Sequence, residues 1–249
     1  MSWVTKSSQE EYEAPAEPRN YSKQEKAANW WHYQKWCVVV AIIAVILVAW
    51  IVKDTVFRVK PDYEVGYVGS SDLPPDTVTA LETALADFGQ DLNGDGQVVV
   101  TLNQFPVDFD GGDNTDVYYQ MAGVAKLSAD LSTNEGSYIF LIEDPEGFEF
   151  QTSALQYLDG SLPEAESTDW QNMVYRWSDC PVLAGLDLGE YTGLTVMDET
   201  TGESQDVLAN LYVGLRGNWR EDKDGNYQNN LAMWELLTAG ATPLEESTF

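Results

Sequence analysis

From Trp36 to Val52 the chain reads WCVVVAIIAVILVAWIV, 17 residues without a charge. As a helix rising 1.5 Å per residue the run spans roughly 25 Å, the short end of the transmembrane range. Trp30, Trp31, Tyr33 and Trp36 stand before or at its start and Trp50 near its end, where interfacial rings belong. A cleaved leader would begin near Met1 and close on a small-residue site; here 35 residues precede the run and no Ala-x-Ala follows it. A buried core helix is rarely apolar on every face. An uncleaved single-pass anchor at 36–52 is therefore expected, with 30–35 as its juxtamembrane lead-in.

The anchor divides the charge. Residues 1–36 carry five bases and five acids, and 53–60 three bases and one acid. Residues 61–249 carry only five Lys or Arg against 35 Asp or Glu, a net charge of −30 in a chain whose total is −28. A domain of that sign repels polyphosphate and anionic headgroups, so nucleic acid is excluded as a partner. Flanking lysines are nearly balanced, with Lys23, Lys26 and Lys35 before the span and Lys53, Arg58 and Lys60 after it. The large acidic part following a short polar tail, and its poverty in Cys, His and Lys, favour an extracytoplasmic C-terminal domain. Residues 1–29 read as a disordered cytoplasmic tail, 53–60 as a linker and 61–249 as one domain. Ala27–Lys35 reads either as a short amphipathic helix on the inner headgroups or as a plain aromatic belt.

The only His is His32 and the only Cys residues are Cys37 and Cys180. The acidic domain thus has no internal disulfide, no Ser-His-Asp or Cys-His site and no Cys/His zinc cluster of its own. No GxxxxGK[ST] or GxGxxG occurs, which removes the usual basis for nucleotide binding.

Within 61–249 the pattern alternates. EVGYV at 64–68 predicts a strand, and 75–88 a helix opened by Pro75, with Val78, Leu81, Leu85 and Phe88 on one face and Gly89 as its C-terminal stop. QVVVTL at 97–102 predicts the second strand, and 115–131 a helix with Val117, Met121, Val124 and Ala125 on one face. SYIFLI at 137–142 predicts a strand buried on both sides. This β-α-β-α-β order points to α/β architecture with a doubly wound, mainly parallel sheet. Further on, 148–158 and 231–238 read as helices, 161–168 as an acidic loop, and 181–186 and 211–215 as strands.

In such a sheet ligands gather beyond the carboxyl ends of the strands. That rule selects Ser70, Ser71 and Asp72 after the first strand and Glu143 and Asp144 after the third as ligand-binding candidates. The competing role for Asp72 and Asp144 is to begin or cap the next element. Asp91-Leu-Asn93-Gly-Asp95-Gly96-Gln97 places oxygens at alternate positions around glycine, as in the first half of a calcium loop. Calcium is expected on Asp91, Asn93, Asp95 and the Gln97 carbonyl, against a plain polar turn. The twelfth position is Leu102 and supplies no closing carboxylate. Asp108, Asp110, Asp113 and Asp116, and the Asp222–Asn226 stretch in a hairpin or loop, read as solvated turns. Trp170, Trp177, Trp219 and Trp234 read first as packing residues and second as lining for a sugar or peptide cleft.

WWHYQKW, the apolar span, KDTVFRVKPDYEVGYVG and DLNGDGQVVV together resemble a group of uncharacterised single-pass membrane proteins of Gram-positive bacteria. The resemblance covers roughly residues 28–150. It implies a surface location and an outer domain like one lobe of an extracellular solute-binding protein, and it brings no catalytic residues. A single lobe does not enclose a small solute. The expected function is thus a membrane-anchored ligand- or partner-binding domain, an accessory subunit of a transporter or envelope complex, and not an enzyme. The alternative is a calcium-dependent hydrolase working through carboxylates at the cell surface.

Overall fold

A computed structural model of the chain describes residues 22–56, 60–109, 117–164, 167–194, 199–219, 222 and 225–244. It divides into two compact units, Met1–Arg58 and Val59–Phe249. In the first unit, helix α1 runs over Lys23–Val56 as 34 continuous residues. Within it Trp30–Trp50, with a mean hydropathy of 2.0, is long and apolar enough to cross a membrane. The helix passes both ends of the expected span, taking in part of the stretch read as tail and the first residues of the stretch read as linker. The juxtamembrane aromatics are thus a continuation of the same helix. Residues 1–21 lie outside the described part.

The second unit is mixed α/β with a mainly parallel sheet. Its strands and helices, in chain order, are β1 (Tyr63–Gly69), α2 (Pro75–Ala86), β2 (Val100–Pro106), α3 (Val117–Leu131), β3 (Ile139–Ile142) and α4 (Pro145–Thr152). There follow β4 (Val174–Arg176), α5 (Pro181–Ala184), β5 (Glu190–Leu194), β6 (Glu199–Glu203), α6 (Ser204–Leu208), β7 (Tyr212–Leu215) and α7 (Asn226–Leu237). The five-stranded sheet has the order β2-β1-β3-β7-β4. β2, β1 and β3 are mutually parallel, while β7 runs antiparallel to both β3 and β4. β5 and β6 form a separate antiparallel ribbon.

Side chains of one strand alternate between faces, and two buried clusters follow that alternation. Tyr63, Val65 and Tyr67 of β1 join Ile139 and Leu141 of β3, Leu81 and Leu85 of α2, and Met233 and Leu237 of α7. Val68, Phe140 and Ile142 instead join Phe105, Leu127 of α3 and Phe148 of α4. All four residues of β3 are buried, as a strand covered on both faces requires.

Several sequence expectations are corrected. The QVVVTL strand begins only at Val100, because Asp62 takes the Val99 amide and the loop holds the residues before it. The run at 181–186 forms the short helix α5, whose Pro181 sits in the first turn where a missing N–H costs nothing. The helix expected to reach 158 ends at Thr152, because Ser153 turns left-handed at φ 46. Gly89 is not a left-handed stop. A Cβ there would meet Val98 Cγ1 at 2.7 Å, so close packing explains it. Of the two settings offered for 222–226, the described residues fit the loop: Asp222 precedes α7 and accepts the amides of Tyr227 and Gln228 at 3.2 Å each. Asp110, Asp113 and Asp116 lie outside the described residues.

Candidate functional site

β1 lies between β2 and β3 and parallel to both, so the carboxyl ends of all three strands share one edge of the sheet. Ser70, Ser71 and Asp72 follow β1 there, and Glu143 and Asp144 follow β3. Glu143 Oε2 accepts the Ser70 amide at 2.6 Å, which ties the two strand ends together. Asp72 Oδ2 accepts the Tyr119 hydroxyl at 2.6 Å, reaching across to α3. Asp144 caps α4, its Oδ1 accepting the Gly147 amide at 3.1 Å. Ser71 is exposed at this edge.

The edge is electronegative. Burial, with Glu143 and then Asp72 beside it, pushes the Tyr67 phenol well above its ordinary range. The hydrogen bond to Asp72 likewise raises Tyr119. Each of these three carboxylates is engaged by the fold, two of them by backbone amides.

The DLNGDG loop knits itself closed. Asp91 accepts Gly94 N at 2.6 Å through one oxygen and Gly96 N at 2.8 Å through the other. Asn93 accepts Asp95 N, and Asp95 accepts Gln97 N, both at 2.9 Å. Gly94 and Gly96 take φ of 77 and 86, which only glycine adopts cheaply. The Gly96 amide, with Gly94 adding, holds the Asp91 carboxyl below its ordinary range. Asp62 braces the loop from the start of β1, accepting Leu92 N at 2.9 Å and Asn93 N at 3.1 Å. Leu102 lies inside β2, so the loop's twelfth position contributes to the sheet. Among the described residues no three His, Cys, Asp or Glu side chains gather as a metal site. The donors still fit a cation, because each carboxylate oxygen offers two lone pairs and the amides use one apiece.

Two features escaped the sequence reading. The first is the outward face of α3. The stripe that periodicity assigns to one face does not pack on the sheet: Met121 is 65% exposed and Val124 39%, and Tyr118 beside them is 85% exposed. Leu127 and Gly123 face the sheet instead, and a Cβ on Gly123 would meet the Pro106 carbonyl oxygen at 2.1 Å. A glycine was the signal for that close approach. The second is a cavity of about 610 Å³ whose lining includes Glu149, Ser153, Arg216 and Trp219. It sits by the start of β3 and the end of β7, away from the carboxyl edge. Of the four tryptophans singled out, Trp177 and Trp234 are buried, Trp170 stacks edge-on with Tyr212 at 5.9 Å, and Trp219 stands half exposed. No family model, curated protein or solved structure matches the chain.

Proposed function

We propose that this chain is a single-pass, membrane-anchored protein whose extracytoplasmic, doubly wound α/β domain docks a partner protein of the membrane or envelope. The observation that carries the reading is the exposed apolar face of α3, Tyr118, Met121 and Val124. Burying a Met or Val side chain is worth about 1.5–3 kcal/mol, so three apolar residues left in one row forgo a sizeable gain unless something covers them. Phe150 of α4, also exposed, flanks the same face of the sheet, because Leu127 of α3 and Phe148 of α4 share one core cluster. A lipid surface is a poor occupant for this face, since a domain carrying −30 is repelled by anionic headgroups. The split of the two cores, α2 against one face and α3 against the other, supports the doubly wound description.

The rival reading, a carboxylate hydrolase, needs Glu143 or Asp144 to move a proton, whereas Asp144 caps a helix and Glu143 binds the Ser70 amide. Calcium belongs to the reading as a stabilising ion on Asp91, Asn93, Asp95 and the Gln97 carbonyl, supported by their alternation around two left-handed glycines.

A photoreactive residue at position 121 of the full chain, activated in native membranes, is expected to trap one protein partner. Tyr118→Lys is expected to abolish the adduct while the fold is retained, because Tyr118 makes little contact with the core. No adduct, or one indifferent to Tyr118→Lys, contradicts the docking role. Hydrolysis of a peptide, glycoside or ester that is lost on Glu143→Gln would install the enzyme in its place.

A further inference from the structure

We propose that the cavity between the end of β7 and the end of α4 binds a small organic ammonium compound, with Glu149 as its counter-charge and Trp219 as its aromatic wall. The proposal is separate from partner docking, since it uses neither α3's exposed face nor the carboxyl edge. At about 610 Å³ the space falls within the range of small-molecule sites.

Glu149 is 4% exposed and lines the cavity. Its Oε2 accepts the Leu155 amide at 3.0 Å. Burial raises its pKa to about 7, against the lowering effect of the Leu155 and Ala154 amides, and no basic side chain takes part in that balance. A buried carboxylate satisfied only by amides keeps acceptor capacity for a cation, and an ammonium ion supplies the missing charge. Glu164, exposed at the lining, adds a second negative group on the approach.

Arg216 lines the same cavity, and its charge is shared with Asp130, whose carboxyl it draws down against the stronger effect of burial. Its Nη2 donates to the carbonyls of Leu131 at 2.8 Å and Thr133 at 3.0 Å, at the partially negative end of α3. Its guanidinium also lies over the Tyr138 ring at 5.0 Å from the centroid. Trp219, 49% exposed, presents a ring suited to an apolar body or to the cation itself. Ser153 is the only non-glycine residue at positive φ among the described residues, and it too lines the cavity. Strain of this kind gathers at binding sites, because the surrounding structure must hold it. The net charge of the domain draws small cations toward any such opening.

The test compares tyramine with tyrosol, which share one skeleton and differ in carrying an ammonium or a hydroxyl group. Both are titrated calorimetrically into the full-length protein in lipid nanodiscs, with empty nanodiscs as the blank. Tyramine is expected to bind about tenfold more tightly than tyrosol, the usual scale for one charge-assisted contact. Glu149→Gln keeps an oxygen for the Leu155 amide and is expected to erase that preference. Trp219→Ala, at a half-exposed position, is expected to weaken both compounds. Equal binding of the two, no binding of tyramine, or a preference that survives Glu149→Gln overturns the proposal. Should Glu149→Gln fail to fold, the comparison on the unaltered chain decides it.

Discussion

Glu149 holds its proton at a pH where an exposed carboxyl has long lost it, with a folded-state pKa of about 7 against an ordinary 4.5. The folded chain therefore binds more protons than the unfolded one between those values. Its contribution to stability is present below pH 4.5 and declines as pH rises toward 7. Discounted for solvent reaching the cavity, the loss is on the order of 1–2 kcal/mol. Glu149→Gln is expected to flatten that part of a Tm-versus-pH curve, and an unchanged slope would place the titration elsewhere. Calcium acts at the same scale. Extracellular sites bind at about 10⁻⁴–10⁻³ M, and ligand at ten times Kd stabilises by about 1.4 kcal/mol. Millimolar calcium is expected to raise the melting temperature of the acidic domain, and Asp95→Ala to abolish the rise. A Tm indifferent to calcium and chelator leaves the loop as a hydrogen-bonded turn. The places of Glu143 and Ser70 at strand ends and of Asp91 in a polar loop were legible in the sequence, because strand ends and alternating oxygens announce themselves locally. Glu149 was not, since its burial depends on the left-handed turn at Ser153 that folds residues 154 and 155 back over it.

Helix α3 shows what periodicity leaves open. Spacing puts Met121, Val124 and Ala125 on one face but does not say which way that face looks. The close approach of Gly123 to the Pro106 carbonyl turns the helix so that Leu127 meets the sheet and the apolar stripe meets solvent. Gly123→Ala is a direct check. In a free helix the change would stabilise by about 1 kcal/mol. Here the new Cβ would lie 2.1 Å from a backbone oxygen that has no side chain to swing aside. A net loss of about 1–3 kcal/mol in denaturant unfolding is expected. A gain would mean that α3 sits further from β2. Short elements were the least legible. PVLAGL carries the same apolar run as a strand or a helical turn, and its single Pro fits the start of either. The β5–β6 ribbon, ETTGE against EYTGL, has too few apolar residues to announce strands, and pairing between its own two segments makes it.

At the scale of the molecule, the parallel run of β1, β2 and β3 follows from two helical crossovers that the sequence shows plainly. Their order β2-β1-β3 is set by the pairing, since the same crossovers also permit β1-β2-β3. Nor does the reversal of β7 follow from them, since YVGL reads alike in either direction and only its antiparallel register with β3 decides it. The division into a long apolar helix and an acidic domain was legible from charge alone, because hydrophobic run and charge excess are properties of composition that survive any detail of packing. Which side of a membrane the acidic domain occupies is the claim on which docking to a membrane or envelope partner depends. Protease added to intact cells tests it most directly, followed by blotting with antibodies to each end of the chain. Residues 61–249 are expected to be digested while a small N-terminal fragment containing Trp30–Trp50 stays protected. A domain that survives on intact cells and is degraded only after lysis would contradict it.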